Sequence, residues 1–161
     1  MGAKEKAFCM GPEPRPPRYV YPGYMWCDES TGKPRYWVDP SMRIRMPCLY
    51  MLAREHEETH CRQNAGCCLA FARCLRMYEP SACWRLFVAW RRAVIPWQEC
   101  AVYTYHTIPL MKSLKNCYCD LVASGAWSDL MDTWFKACAD PRAKGPLEPC
   151  PFEPGGIIRP W

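Results

Sequence analysis

Long apolar runs and dense basic stripes are both missing from this chain of 161 residues. Its most apolar stretch, WRLFVAW, is interrupted by Arg85, so no segment approaches the roughly 20 apolar residues of a membrane span. The net charge of +5 is modest, and the lysines and arginines are scattered instead of gathered into a binding face. We therefore expect neither a membrane span nor a nucleic-acid partner.

The thirteen cysteines lack the C-x-x-C spacing of structural zinc knuckles. They lie instead at spacings, as in GCCLAFARC and NCYCD, that suit cross-links between packed helices. So many cysteines outside a metal-binding pattern favour a domain held by disulfides in an oxidising compartment. Because thirteen is odd, at least one thiol is expected to be free or to pair between chains.

A secretory signal peptide is also missing, since no apolar region follows the charged residues of MGAKEKAFCMGPEPRPPRY. A disulfide-rich chain that lacks a signal is expected to be a domain of a longer protein, or else the cargo of a secretion machine that bypasses signal peptides. In either case we expect it to be secreted or delivered into an oxidising space.

Half of the residues are hydrophobic, which predicts a single folded domain over 1–161. The proline-rich segments 1–47 and 140–161 predict irregular structure wrapped around a helical core at 48–139. Two extended runs around DESTGK predict a small β-hairpin near residues 19–38, whose edge could take a substrate strand. The predicted fold class is mainly α, with this hairpin, irregular termini and disulfides.

Apolar residues recur at helical spacing in five segments, which we predict as helices: 49–77, 79–94, 97–108, 110–124 and 128–139. Pro96 is expected to close the second helix, and Pro109 is expected to end or kink the third. Ser128 is the expected cap of the fifth helix.

The segment HEETH places His56 and His60 four residues apart in the middle of the first predicted helix. Residues i and i+4 share one helix face, so both imidazoles point the same way, as two zinc ligands on one helix must. Glu57 follows the first histidine directly. In H-E-x-x-H sites this carboxylate takes the proton of the zinc-bound water that attacks a carbonyl. The alternative interpretation is a solvated helical turn without function.

The third ligand has two candidates. HEETHCRQNAG lacks the HExxHxxGxxH extension, which excludes the metzincin arrangement. On the third predicted helix, Glu99, Tyr103 and His106 fall at i, i+4 and i+7 and would form one face. Glu99 would complete a set of two histidines and one carboxylate, which leaves an open position for water. In the alternative, His106 is the third ligand, and Glu99 orients a ligand without binding the metal itself.

HEETHCRQ followed by ECAVY on a later helix resembles the gluzincin metallopeptidases. More narrowly, it is similar to the small zincin domains of bacterial polymorphic toxins and type VI secretion effectors, which often read HExTHxxQ and then ExxAY. The similarity covers residues 55–106, with Val102 where those proteins often have alanine. The resemblance implies a site in named roles: His56, His60 and Glu99 as zinc ligands, Glu57 as general base, and Tyr103 or His106 to steady the oxyanion.

The resemblance implies a zinc metallopeptidase that acts on a protein or peptide as a secreted antibacterial effector, with the target periplasm as its setting and an immunity protein as a possible partner. A cysteine-rich binding or structural module without catalytic activity is the alternative, and an inactive zincin that binds a partner is a third. Cys61 and Cys100 each adjoin a proposed ligand, so a disulfide between them would tie the two ligand helices together.

Overall fold

The computed structural model describes residues 23–113, 121 and 125–160. The fold is mainly helical with one small antiparallel hairpin, as the sequence predicts. Strands β1 (Gly23–Cys27) and β2 (Pro34–Val38) pair along their whole length, with Tyr24 opposite Trp37. The predicted hairpin is therefore present over 23–38, and the predictions for residues 1–22 fall outside the described residues.

Two long helices form the centre of the fold. A short helix, α1 (Met42–Arg45), leads into α2 (Pro47–Met77), and α3 (Pro80–Val102) returns along it after a two-residue connection. Both of these helices have a proline in the first turn, where a missing N–H costs nothing. The helix predicted over 49–77 is confirmed and runs without interruption through Gly66.

Pro96 does not close a helix, contrary to the sequence prediction, because it lies inside the continuous helix α3. A proline in a helix leaves the carbonyl four residues earlier without its N–H donor. Here that carbonyl belongs to Arg92, and the Arg142 guanidinium donates to it at 3.1 Å. Asp140 holds Arg142 in place by two further hydrogen bonds, of 3.0 and 2.8 Å. The C-terminal segment thus supplies the donor that proline removes.

A π-helical turn, Tyr103–Thr107, follows α3 directly, and α4 (Ile108–Ser113) continues from it. The Ile108 N–H bonds to the carbonyl of Tyr103, five residues back. Pro109 explains the wide turn, since it has no N–H for the carbonyl of Tyr105 and its ring would clash with that carbonyl in a straight helix. The helix predicted over 110–124 lies largely outside the described residues.

The last long helix, α5 (Ala126–Ala139), packs against α3. It begins after Gly125, whose φ of 74° is left-handed, and not at a Ser128 cap. The chain then makes a 3₁₀ turn at Pro141–Ala143 and an irregular tail, which returns along the long helices.

Four disulfides join described cysteines: Cys27–Cys68, Cys67–Cys150, Cys74–Cys83 and Cys100–Cys138. Cys48 is also disulfide-bonded. The two neighbours Cys67 and Cys68 hold the C-terminal tail and the hairpin, respectively, to α2. Cys61 is free, so the suggested Cys61–Cys100 bridge is wrong. These bridges indicate a chain that folds in an oxidising compartment.

Two apolar clusters lie along the α2–α3 pair. One gathers around Phe71, which stacks on Phe87 with ring centroids 4.2 Å apart. The other includes Leu52, Tyr103 and Met111. The stretch of α2 between the clusters carries buried polar side chains, as does the facing part of α3. Within the described ranges no helix has both the length and the apolarity to cross a membrane.

Candidate metal centre

Helices α2 and α3 bring three metal-binding side chains into one cluster between the apolar layers. His56 and His60 lie one turn apart on α2, and their Nε2 atoms are 3.0 Å apart. Glu99 on α3 faces both, with its Oε2 3.2 Å from His56 Nε2 and its Oε1 3.1 Å from His60 Nε2. The potential ligand atoms all lie within 4.8 Å of one another, so the group could hold a metal ion.

The far side of each imidazole has its own partner. The Nδ1 atom of His60 lies 2.8 Å from Gln63 Oε1, and Nδ1 of His56 lies 3.1 Å from Thr107 Oγ1. An amide oxygen only accepts, so Nδ1 of His60 donates to Gln63, and Nε2 is the nitrogen that faces Glu99 and would offer a lone pair to a metal in the neutral imidazole. Partners of this kind fix the orientation of histidine ligands in metal sites.

Burial and charge at the cluster fit a metal. Burial by itself would raise the pKa of Glu99, but the two imidazoles outweigh it and hold the pKa well below its usual range. For His60 the effect of burial is to lower the pKa. The neighbouring Glu99 more than compensates, and the pKa of His60 lies above its ordinary value. Oε2 of Glu99 is buried without a hydrogen-bond partner, although His56 Nε2 is near. A cation between these groups would satisfy that oxygen.

Glu57, the predicted general base, is buried with 2 % of its surface exposed. Its charge contributes to the raised pKa of His60, which places it near the cluster. Strand β1 passes over it so closely that a Cβ on Gly23 would lie 3.2 Å from Glu57 Cγ and 2.7 Å from the Trp37 carbonyl oxygen. Only glycine fits there, so the start of the hairpin rests on the helix turn that holds Glu57.

A buried polar network lies one turn beyond the ligands and was not predicted. Asn64 donates to the carbonyl of His60 at 2.6 Å and exchanges hydrogen bonds with Gln98 at 3.0 and 3.2 Å. Arg91 donates to both side-chain oxygens, at 2.9 and 2.8 Å. Burial lowers the pKa of Arg91, while the charges of Glu99 and Glu57 partly restore it. The network fixes the relative register of α2 and α3 at the level of the ligands.

The structure places Tyr103 and His106 differently from each other. Tyr103 is buried, and its ring centroid lies 4.7 Å from that of His56, so it packs against a candidate ligand. His106 is exposed and does not belong to the cluster. Thr107 occupies the position toward His56 instead, which the sequence argument missed because it assumed a regular α-helix.

Cys61 adjoins His60 but is poorly suited to act as a nucleophile. Burial raises the pKa of its thiol to about 11, with help from the charges of Glu57 and Glu58. A thiol in that range is protonated at neutral pH and is a weak nucleophile.

Comparison of the chain with protein-family models, with curated proteins and with solved structures found no match. The arguments for a function therefore come from the geometry of the cluster itself.

Proposed function

We propose that the chain is a zinc-dependent metallopeptidase. The observation that carries the proposal is the buried cluster of His56, His60 and Glu99, with Glu57 directly after the first histidine. Two imidazoles and one carboxylate are the donors of many catalytic zinc sites, and they leave a coordination position open. A zinc ion bound there would act as a Lewis acid toward water and a peptide carbonyl.

Each residue around the cluster has a separate role in the proposed reaction. His56 and His60 offer Nε2 from one face of α2, and Glu99 approaches from α3. Glu57 accepts the proton of the attacking water and returns it to the leaving amine, the role of a general base and then acid. Tyr103, against the ring of His56, supports that ligand's position and stays the candidate for oxyanion stabilisation.

The proposed setting follows from the disulfides. They require an oxidising compartment, where a peptidase would meet extracellular or periplasmic substrates. We propose an antibacterial effector delivered to the target periplasm, acting on a protein or a peptidoglycan peptide, with an immunity protein in the producing cell. The support for this setting is the resemblance of HEETHCRQ and ECAVY to effector zincins.

The first test is metal content in the oxidised chain. One zinc per chain, lost in His60→Ala, would support the site. Hydrolysis of quenched peptides and of purified peptidoglycan would then be compared for Glu57→Gln and Glu58→Gln. The second variant is a matched control, since Glu58 is the next glutamate on α2 but accepts a hydrogen bond from Tyr36 of strand β2 and is not in the cluster. We expect Glu57→Gln to lower the rate about 10²- to 10⁴-fold while zinc stays bound. An unchanged rate in Glu57→Gln would exclude the proposed mechanism.

A second candidate function is a cysteine-rich binding module, which the density of disulfides favours. It predicts a folded chain without zinc and without loss of function in Glu57→Gln. An inactive zincin would bind zinc through His60 yet hydrolyse nothing.

A further inference from the structure

We propose that the π turn Tyr103–Thr107 orients His56 for metal binding, with Thr107 as a positioning residue whose hydroxyl oxygen accepts the Nδ1 proton of that imidazole. The inference rests on the metal centre that the proposed function requires. It assigns a purpose to the one described π turn, a rare geometry that is frequent at functional sites.

The register of the helix shows what the turn accomplishes. In a regular α-helix each residue advances about 100° around the axis. His106, seven residues after Glu99, would then share its face, and Thr107 would point about 80° away from Glu99. The π turn holds one extra residue, so the face passes to Thr107 and His106 turns to solvent. The observed 3.1 Å contact between Thr107 Oγ1 and His56 Nδ1 exists because of that shift.

The chemistry of the contact follows from the ligand set. A metal in the cluster would take the Nε2 lone pair of His56, because this nitrogen faces His60 and Glu99. The neutral imidazole then carries its proton on Nδ1 and needs an acceptor there. Thr107 provides one, just as Gln63 does for His60. Each imidazole thus has an uncharged oxygen partner at Nδ1.

Tyr103, the first residue of the π turn, also contacts His56. Its ring is tilted by 53° to that of His56 and almost fully buried. The imidazole is thus bonded at Nδ1 by Thr107 and packed against by the ring of Tyr103, both from one five-residue segment. Pro109 favours the wide turn, since it has no N–H for the carbonyl of Tyr105.

The first experiment measures zinc affinity by competition with a chromophoric chelator, in the oxidised full chain. Thr107→Val keeps the shape of the side chain but removes the acceptor, and Thr107→Ser keeps the acceptor. We expect Thr107→Val to weaken zinc binding about ten- to hundredfold, the usual effect of losing such a partner. We expect Thr107→Ser to stay within about threefold. Equal affinities of Thr107→Val and the parent chain would overturn the proposal.

A second pair of variants tests the register. Deleting His106 removes the one extra residue of the π turn, so in a regular helix Thr107 becomes the seventh residue after Glu99 and keeps the same face. Zinc affinity should then stay close to that of the parent, and a loss as large as in Thr107→Val would contradict the register argument. His106→Ala keeps the turn and should bind zinc like the parent. A loss of zinc in His106→Ala would instead make that histidine a ligand and overturn the proposal.

Nuclear magnetic resonance of the zinc-loaded parent gives a readout that does not depend on the folding of any variant. Long-range ¹H–¹⁵N spectra should show His56 protonated at Nδ1 and bound through Nε2. Binding through Nδ1 would refute the inference. A parent that binds zinc with these properties but cleaves no peptide would refute only the proposed function. A parent that binds no zinc would refute both.

Discussion

At the scale of single residues, the polar atoms of the candidate metal centre are nearly all engaged. Both Nδ1 atoms have oxygen partners, and the amides of Asn64 and Gln98 bond to each other and to Arg91. Oε2 of Glu99 is the exception among the described buried side chains. A buried carboxylate oxygen that only neighbours an imidazole and accepts no hydrogen bond is costly in an otherwise satisfied site, and a bound cation would remove that cost.

Gly66 offers a way to stabilise the chain without touching the site. It is exposed within α2, and a side chain added there would meet nothing within 4 Å. Gly66→Ala should raise the free energy of unfolding by about 0.5–1 kcal/mol, because alanine loses less backbone entropy in a helix. Urea unfolding of the oxidised chain measures this.

Gly32→Ala is the opposing control for that measurement. Gly32 has φ of +70°, and an added Cβ would lie 3.0 Å from Leu69 and 3.2 Å from Ala72. This change should lower the free energy of unfolding by at least about 1 kcal/mol. If both alanines destabilised the chain, the assignment of Gly66 to an open helix face would be wrong.

Tyr36 should make stability depend on alkaline pH. Burial raises its pKa to about 12, aided by its 2.7 Å hydrogen bond to Glu58; among its other neighbours Arg54 lowers the pKa and Tyr50 raises it. The folded chain therefore keeps the phenol proton at a pH where the unfolded chain, near pKa 10, loses it. This stabilisation is complete below about pH 10 and declines as pH rises toward 12.

The free energy of unfolding, measured by urea at pH 8 to 11, checks the Tyr36 prediction. The parent chain should lose stability above about pH 10, and Tyr36→Phe should lose less there, starting from a value about 1 kcal/mol lower at pH 8. Parallel curves for the two chains would contradict it.

At the scale of elements, the sequence predicted those segments where periodicity alone decides the structure. Helix α2 matches its predicted range because apolar spacing and Pro47 both define it. The break at Pro96 was wrong because the donor that repairs the helix, Arg142, lies 46 residues further along the chain, beyond any local pattern. The sequence placed Glu99 and Tyr103 on one helix face. The extra residue of the π turn then puts Thr107 on that face where the sequence predicted His106.

The repair of α3 by Arg142 can be tested directly. Arg142→Ala removes the donor to the Arg92 carbonyl and should loosen the helix around Pro96, three residues before Glu99. We expect amides of residues 93–102 to exchange hydrogen several-fold faster, the scale of one lost hydrogen bond. Lys144→Ala, which removes an exposed cation of the same segment, is the control and should leave this exchange unchanged.

At the scale of the whole molecule, disulfides tie the outer segments to the helix pair that holds the site. Cys67–Cys150 spans 83 residues and Cys74–Cys83 spans 9. In the chain-entropy model, closing loops of these lengths contributes about 4.5 and 2.5 kcal/mol. Replacing the first pair by serine should therefore lower the unfolding free energy by about 2 kcal/mol more than replacing the second. Equal losses in urea unfolding would show that native packing, not loop closure, sets their effects.

Because one unbroken helix carries both the ligand turn and the cysteines that anchor hairpin and tail, the spacing between them is as constrained as their identity. Inserting one residue between His60 and Cys67 would rotate the two parts of α2 by about 100° relative to each other. The candidate metal centre and the disulfides could then not form together. Insertion scanning should thus find this stretch intolerant of length changes, while substitutions at exposed Arg62 or Ala65 are accepted. Natural variation of such a chain would proceed by replacement here and confine gain or loss of residues to its loops.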